Sequence, residues 1–159
     1  AWIAPSGVSA IMCGRTSQAW TGCGRDQFTF RPKLQVPDGG QSMASPGISP
    51  GMKAQKQTFV CEHNVAPHVS KFSTPAMIQL MEQASSEVVN GNLQEGELSV
   101  GIEVNIRHLA AADIGATIVA HAELTEIDRN RLTFKVEAYE GDKKIGEGTH
   151  KRAIIKTGG

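Results

Sequence analysis

Ser73-Thr74-Pro75-Ala76-Met77-Ile78-Gln79-Leu80-Met81-Glu82-Gln83-Ala84 reads as the opening of one amphipathic helix. The order Thr-Pro predicts Thr74 at the N-cap, its hydroxyl accepting from an unpaired first-turn amide. Pro75 then falls at N1, where its missing N–H costs nothing and its fixed φ suits the helix. Met77, Leu80, Met81, Ala84 and Val88 follow at helical spacing and form an apolar stripe. Glu82 stands on the margin of that stripe, flanked by Ile78, Ser85 and Val89. The helix is expected to run to about Asn90, with Asn90-Gly91-Asn92 supplying a left-handed C-cap. Two readings are open at this point. Thr74 is a cap and Glu82 a solvated edge residue, or a hydroxyl at the helix mouth and a carboxylate two turns along take part in chemistry.

Working outward, Thr58-Phe59-Val60-Cys61-Glu62-His63 reads as a short strand ahead of the helix, and Asn64 to Ser73 as a loop. Downstream, Leu98, Val100, Ile102, Val104 and Ile106 alternate with polar residues or glycine. Ile118, Ala120, Ala122 and Leu124 repeat that period, as do Leu132, Phe134, Val136 and Ala138, and a last strand covers roughly Lys144 to Ile155. Asp128-Arg129-Asn130-Arg131 and Glu140-Gly141-Asp142 are hairpin turns, and Ala110 to Gly115 is a longer crossing. One helix cannot cover both faces of such a sheet. The expected class is therefore α+β, an antiparallel sheet wrapped around one long helix, which is the hotdog pattern. Each apolar side chain the helix buries contributes roughly 1.5–3 kcal/mol, so four or five can anchor it. A domain this small leaves a sheet edge or face exposed, which favours oligomerisation.

The 159 residues hold one such domain, expected over 53–159, and a Gly/Pro/Ser-rich tail over 1–52. The tail contains Trp2, Trp20, Phe28 and Phe30 without a usable period, and cannot offset its ordering entropy by burial. It has no apolar signal core and no amphipathic Arg-bearing helix. Because Met52-Lys53-Ala54 sits just ahead of the first strand, Met52 is the expected natural start, and a chain beginning there is expected to keep solubility and activity. Formal charge is balanced at +0, which gives no electrostatic case for nucleic acid as a partner. No run of about 18 apolar residues occurs to span a membrane. Cys13, Cys23 and Cys61 are odd in number and lack a C-x-x-C spacing, against both a disulfide framework and structural zinc. A reducing, cytoplasmic setting is the default expectation.

Three further positions could carry chemistry. His108 continues the even phase of its strand and closes it at the Ala110–Gly115 crossing, where polar groups can converge on a ligand; a structural histidine is the alternative. Gly101 interrupts a strand and permits close approach. Gly146-Glu147-Gly148-Thr149-His150-Lys151-Arg152 gathers two glycines with donors and cations, unless it is merely an irregular edge strand. His63 and His68 lack the spacing and the third ligand of a metal site, and none is expected.

Thr74-Pro75-Ala76-Met77-Ile78 with Leu80-Met81-Glu82, then Gly101 to His108-Leu109-Ala110, Arg131-Leu132-Thr133-Phe134, and Gly146-x-Gly-Thr-His150-x-Arg152 resemble the fluoroacetyl-CoA thioesterase-like family of hotdog proteins. The resemblance covers about residues 52–155, and the motifs stand in order at compatible spacings. It implies a catalytic set of Thr74, Glu82 and His108, with Gly101 and Arg152 binding substrate. It also implies hydrolysis of a short acyl-CoA thioester by a homodimer, or a dimer of dimers, with sites near the subunit interface. No cofactor is expected beyond the CoA of the substrate. The family's fluoroacetate-specific member carries lid phenylalanines ahead of the motif threonine. Here Asn64-Val65-Ala66-Pro67-His68-Val69-Ser70-Lys71-Phe72 has one aromatic, Phe72, off those positions, so a general small acyl-CoA is expected. In that scheme Glu82 is nucleophile or base, His108 handles protons, and Thr74 orients the carboxylate or donates to substrate. The competing readings are a non-catalytic acyl-CoA-binding hotdog dimer and a hotdog enoyl-CoA hydratase.

Overall fold

The computed structural model describes residues 44–157. Cys13, Cys23 and the aromatic residues of the tail lie outside them. The elements are β1 (Lys53–Phe59), α1 (Thr74–Asn90), β2 (Glu97–His108), β3 (Thr117–Asp128), β4 (Arg131–Glu140) and β5 (Lys143–Lys156). All pairings are antiparallel, in the spatial order β1-β3-β4-β5-β2. The helix packs against all five strands, so this is the expected hotdog arrangement. The alternations of β3 and β4 supply its floor: Ile118, Ala120, Ala122, Leu124, Leu132, Phe134, Val136 and Ala138 are all buried. Met77, Leu80, Met81, Ala84 and Val88 meet them from α1, with Ser85 and Val89 widening the buried arc on the Glu82 side.

Four local expectations are corrected. The N-cap is Ser73, whose Oγ accepts from the Ala76 amide at 3.3 Å; Thr74 is already helical. Two hydroxyl residues precede Pro75, and the cap satisfied by the first frees the second. At the other end Gly91 has φ −74°, so no left-handed residue ends the helix; Asn92 N donates to Val89 O at 2.9 Å in a tighter last turn. The first strand lies upstream of the expected 58–63, because pairing with β3, from Lys53 opposite Glu123 to Phe59 opposite Thr117, overrides its polar composition. It stops where Asn64 Oδ1 accepts from the Cys61 amide. Finally, packing starts ahead of Lys53. Ile48 is in the core, Ser45 is buried with its hydroxyl on the Glu97 carboxylate, and Gly51 N donates to Leu124 O. That hydroxyl holds the Glu97 carboxyl below its usual range, the Gln94 amide adding to the effect.

The feature that positions the site is a β-bulge in β2, between Gly101 and Glu103. Residues directly opposite across strands share a face. Ser99 opposes buried Ile154, and Gly101 opposes buried Arg152; beyond the bulge Val104 opposes buried His150, and His108 opposes Gly146. One extra residue switches the side-chain phase. Odd positions face the helix before the bulge and even positions after it. The expected unbroken even phase from Leu98 to His108 is therefore wrong, and only the bulge puts Gly101 and His108 on the same face. Leu98 and Val100 instead oppose Ile155 and Ala153 on the outer face. β2 is also an edge strand carrying Leu98, Val100, Ile102 and Val104 at 52, 37, 48 and 43% exposure.

Candidate active site

The five residues singled out from sequence form two groups. At the helix mouth, Thr74 Oγ1 and His108 Nδ1 are 2.9 Å apart. The Ser73 cap leaves the Thr74 hydroxyl available, and the end of β2 delivers the imidazole. The other ring nitrogen, His108 Nε2, is buried without a hydrogen-bond partner, and an unmet buried polar atom is costly. Both residues line a cavity of about 800 Å³ roofed by the loop ahead of the helix, with Pro67, Val69 and Phe72 in its wall. Phe72 is its only phenylalanine, itself buried and held by its amide on Ala112 O at 2.9 Å.

Two helical turns on, Glu82 Oε1 accepts from Arg152 Nη1 at 3.3 Å. The guanidinium is nearly buried (5% side-chain exposure) while the carboxylate is 45% exposed. Arg152 Nε donates to Ser99 Oγ at 2.9 Å and Nη2 to the Ser99 carbonyl at 2.8 Å, so the fork is fixed from β2. Burial pulls the Arg152 pKa down, opposed by the Glu82 carboxylate. Gly101 forms the wall behind Glu82: a Cβ there would lie 2.7 Å from Glu82 Oε1 and 3.1 Å from His150 Cε1. The expectation that Thr74 orients the Glu82 carboxylate is not met within one chain. Eight residues at about 1.5 Å rise separate them by about 12 Å, and Arg152 holds the carboxylate instead. Sequence reading also passed over Ser99 and His150 as members of this group. The signal for His150 was the alternation His150, Arg152, Ile154, which marks the buried face of β5.

Gly101→Ala tests the close approach. The nearest atom it meets is the far end of the flexible Glu82 side chain, and His150 Cε1 at 3.1 Å need give only a few tenths of an ångström, so the fold tolerates it while the carboxylate moves. The expected result is a melting temperature near that of the parent and a kcat reduced by about 10²-fold. A parental kcat would show that the position of Glu82 Oε1 does not matter.

Comparison with known proteins agrees with this architecture. The model of a family described as fluoroacetyl-CoA-specific thioesterase (FlK) matches residues 54–158. The fluoroacetyl-CoA thioesterase of Streptantibioticus cattleyicolor is 33% identical over 108 residues, covering 68% of this chain and 78% of that protein. A solved structure of the fluoroacetyl-CoA thioesterase FlK superposes with a TM-score of 0.65 at 31% identity, covering 70% of this chain and 90% of that one. A Thermus thermophilus protein described as a thioesterase superfamily member gives 0.68 at 29% identity, covering 70% and 87%. The family match spans well over half of the sequence and contains both residue groups, so the chain belongs to the fluoroacetyl-CoA-specific thioesterase (FlK) family.

Proposed function

We propose that this protein hydrolyses a short-chain acyl-CoA thioester to the free acid and CoA. The observation that carries the reading is the Thr74–His108 pair at the wall of the cavity, with a buried imidazole nitrogen unpartnered beside it. Thioester cleavage needs an attacking oxygen and stabilisation of the tetrahedral oxyanion. The CoA thiol, with an acidity near that of free cysteine at about 8.5, leaves with little help. Glu82 is the nucleophile or the base that activates water, held in place by Arg152. His108 moves the proton, and the Thr74 hydroxyl donates to the substrate. No cofactor enters beyond the CoA of the substrate, and the setting is the reducing cytoplasm. With one phenylalanine in the cavity wall, the acyl preference is for small acyl groups in general and not for fluoroacetyl alone.

The working unit of this proposal is a homodimer. Within a chain the two groups are too far apart to share one thioester. Antiparallel pairing of the β2 edge with that of a second copy, centred between Val104 and Asn105, sets Gly101 and Glu82 of one chain by His108 of the other. It also covers the exposed Ile102 and Val104 at its centre. A panel of acyl-CoAs in a thiol-release assay tests the function. Turnover of acetyl- to butyryl-CoA, falling with chain length, is expected. Tight binding of these esters with no thiol released would replace the reading with a binding protein, and water addition to an enoyl-CoA with a hydratase.

A further inference from the structure

His150 has no part in the mechanism above, yet it is 2% exposed and sits among the residues that hold Glu82. Its Nδ1 lies 2.9 Å from the Glu103 carbonyl oxygen, at the bulge of β2. A carbonyl only accepts, so Nδ1 carries the proton. Burial pushes the imidazole pKa below its ordinary value, with the Arg152 charge acting in the same direction and the Glu103 carbonyl and Glu82 opposing. In the neutral ring the Nε2 lone pair is therefore an acceptor, and it lies 3.3 Å from Arg152 Nη1. That same Nη1 is 3.3 Å from Glu82 Oε1. A guanidinium terminal nitrogen has two hydrogens in the plane of the fork. One is taken by His150, and the other is then aimed at Glu82.

Resting on the reading of Glu82 as the reacting carboxylate, we propose that His150 is a positioning residue. It relays the backbone at the β2 bulge to the catalytic carboxylate through Arg152. The chain of contacts is Glu103 O, His150 Nδ1–H, His150 Nε2, Arg152 Nη1 and Glu82 Oε1. It ties the carboxylate to the irregularity that sets the phase of the edge strand. An Nε2–H tautomer, or an imidazolium, would present a donor to a donor and turn Arg152 away from Glu82. The charged groups facing the ring are Arg152 from its own strand and Glu82 from the helix; β2 offers the Glu103 carbonyl, and β4 offers Phe134 opposite.

Two measurements test this. Nitrogen-15 spectra of the histidine-labelled parent at pH 7 are expected to show His150 as the neutral Nδ1–H tautomer; an Nε2–H tautomer or a charged ring overturns the proposal whatever the variants do. Kinetically, His150→Asn keeps a donor near Nδ1 but loses the acceptor, and should lower kcat by about 10-fold or more with KM within about twofold. His150→Gln returns an acceptor near Nε2 and should recover most of that loss. In an Arg152→Gln background, His150→Asn should lower kcat no further, because the path to Glu82 is already cut. Losses that multiply across the two positions would mean that His150 acts through packing alone. Glu82→Gln with parental turnover would instead remove the mechanistic reading and leave the tautomer result standing.

Discussion

Glu82→Gln is expected to lower kcat by about 10²–10⁴-fold with the fold intact. The change is nearly isosteric, and the residue is half exposed at the helix margin, so no core contact is lost. What is lost is the carboxylate that, in the proposed mechanism, attacks the thioester or activates water, together with the group that Arg152 faces. His108→Ala should produce a loss of similar order by removing the proposed proton carrier and the partner of Thr74. Combining the two variants reads out the geometry. When the chains are co-expressed with different tags and the mixed dimer is isolated, a composite site predicts recovery of activity. One of its two sites then draws an intact Glu82 from one chain and an intact His108 from the other. Turnover that stays at the level of either variant would show that each chain works alone, and the shared-site proposal would fall. Unchanged turnover by Glu82→Gln itself would return the residue to a solvated helix edge.

Gly148→Ala is expected to produce the largest loss of stability of any single methyl addition in the sheet. Gly148 lies opposite Ile106 in the β5–β2 ladder. A Cβ there would run into the Asn105 carbonyl oxygen and stand 2.9 Å from Ile106 Cα and 3.0 Å from the Asn105 carbonyl carbon. These are backbone atoms, which cannot swing aside as Glu82 can at Gly101. Either β2 leaves its partner or the ladder distorts, at a cost of about 3 kcal/mol or more. For a domain of this size that lowers Tm by roughly 10 °C or more. Because β2 carries Gly101, the bulge and His108, kcat should fall together with stability. Gly91→Ala is the control: Gly91 has right-handed φ and open space around its Cβ position, so Tm should stay level or rise slightly. Equal melting temperatures for the Gly148 variant and the parent would show that the close approach of β2 to β5 is easily relaxed.

The sequence by itself determined the layers. The 3.6-residue period of Met77, Leu80, Met81, Ala84 and Val88 made one helix, and the clean alternations of β3 and β4 made its floor. Periodicity reports burial on one face, and these elements lie against the core along their length, so local pattern and tertiary role coincide. The family motifs marked Thr74, Glu82, Gly101, His108 and Arg152, and the fold gathers all five on the helix side of the sheet. Tertiary structure decided how they are divided. A one-residue bulge is invisible to a period-2 pattern in a strand whose outer and inner apolar positions are both exposed, so the phase switch at Gly101 could not be read from Leu98, Val100, Ile102, Val104 and Ile106. The choice of Ser73 over Thr74 as cap was equally closed to local reading, because either hydroxyl can accept the same amide. In the structure Ser73 takes the amide, and the Thr74 hydroxyl lies 2.9 Å from His108 Nδ1. The ring state of His150 depends on a carbonyl 47 residues away in sequence. Local pattern built the helix and the sheet; the register of one edge strand against its neighbour built the site.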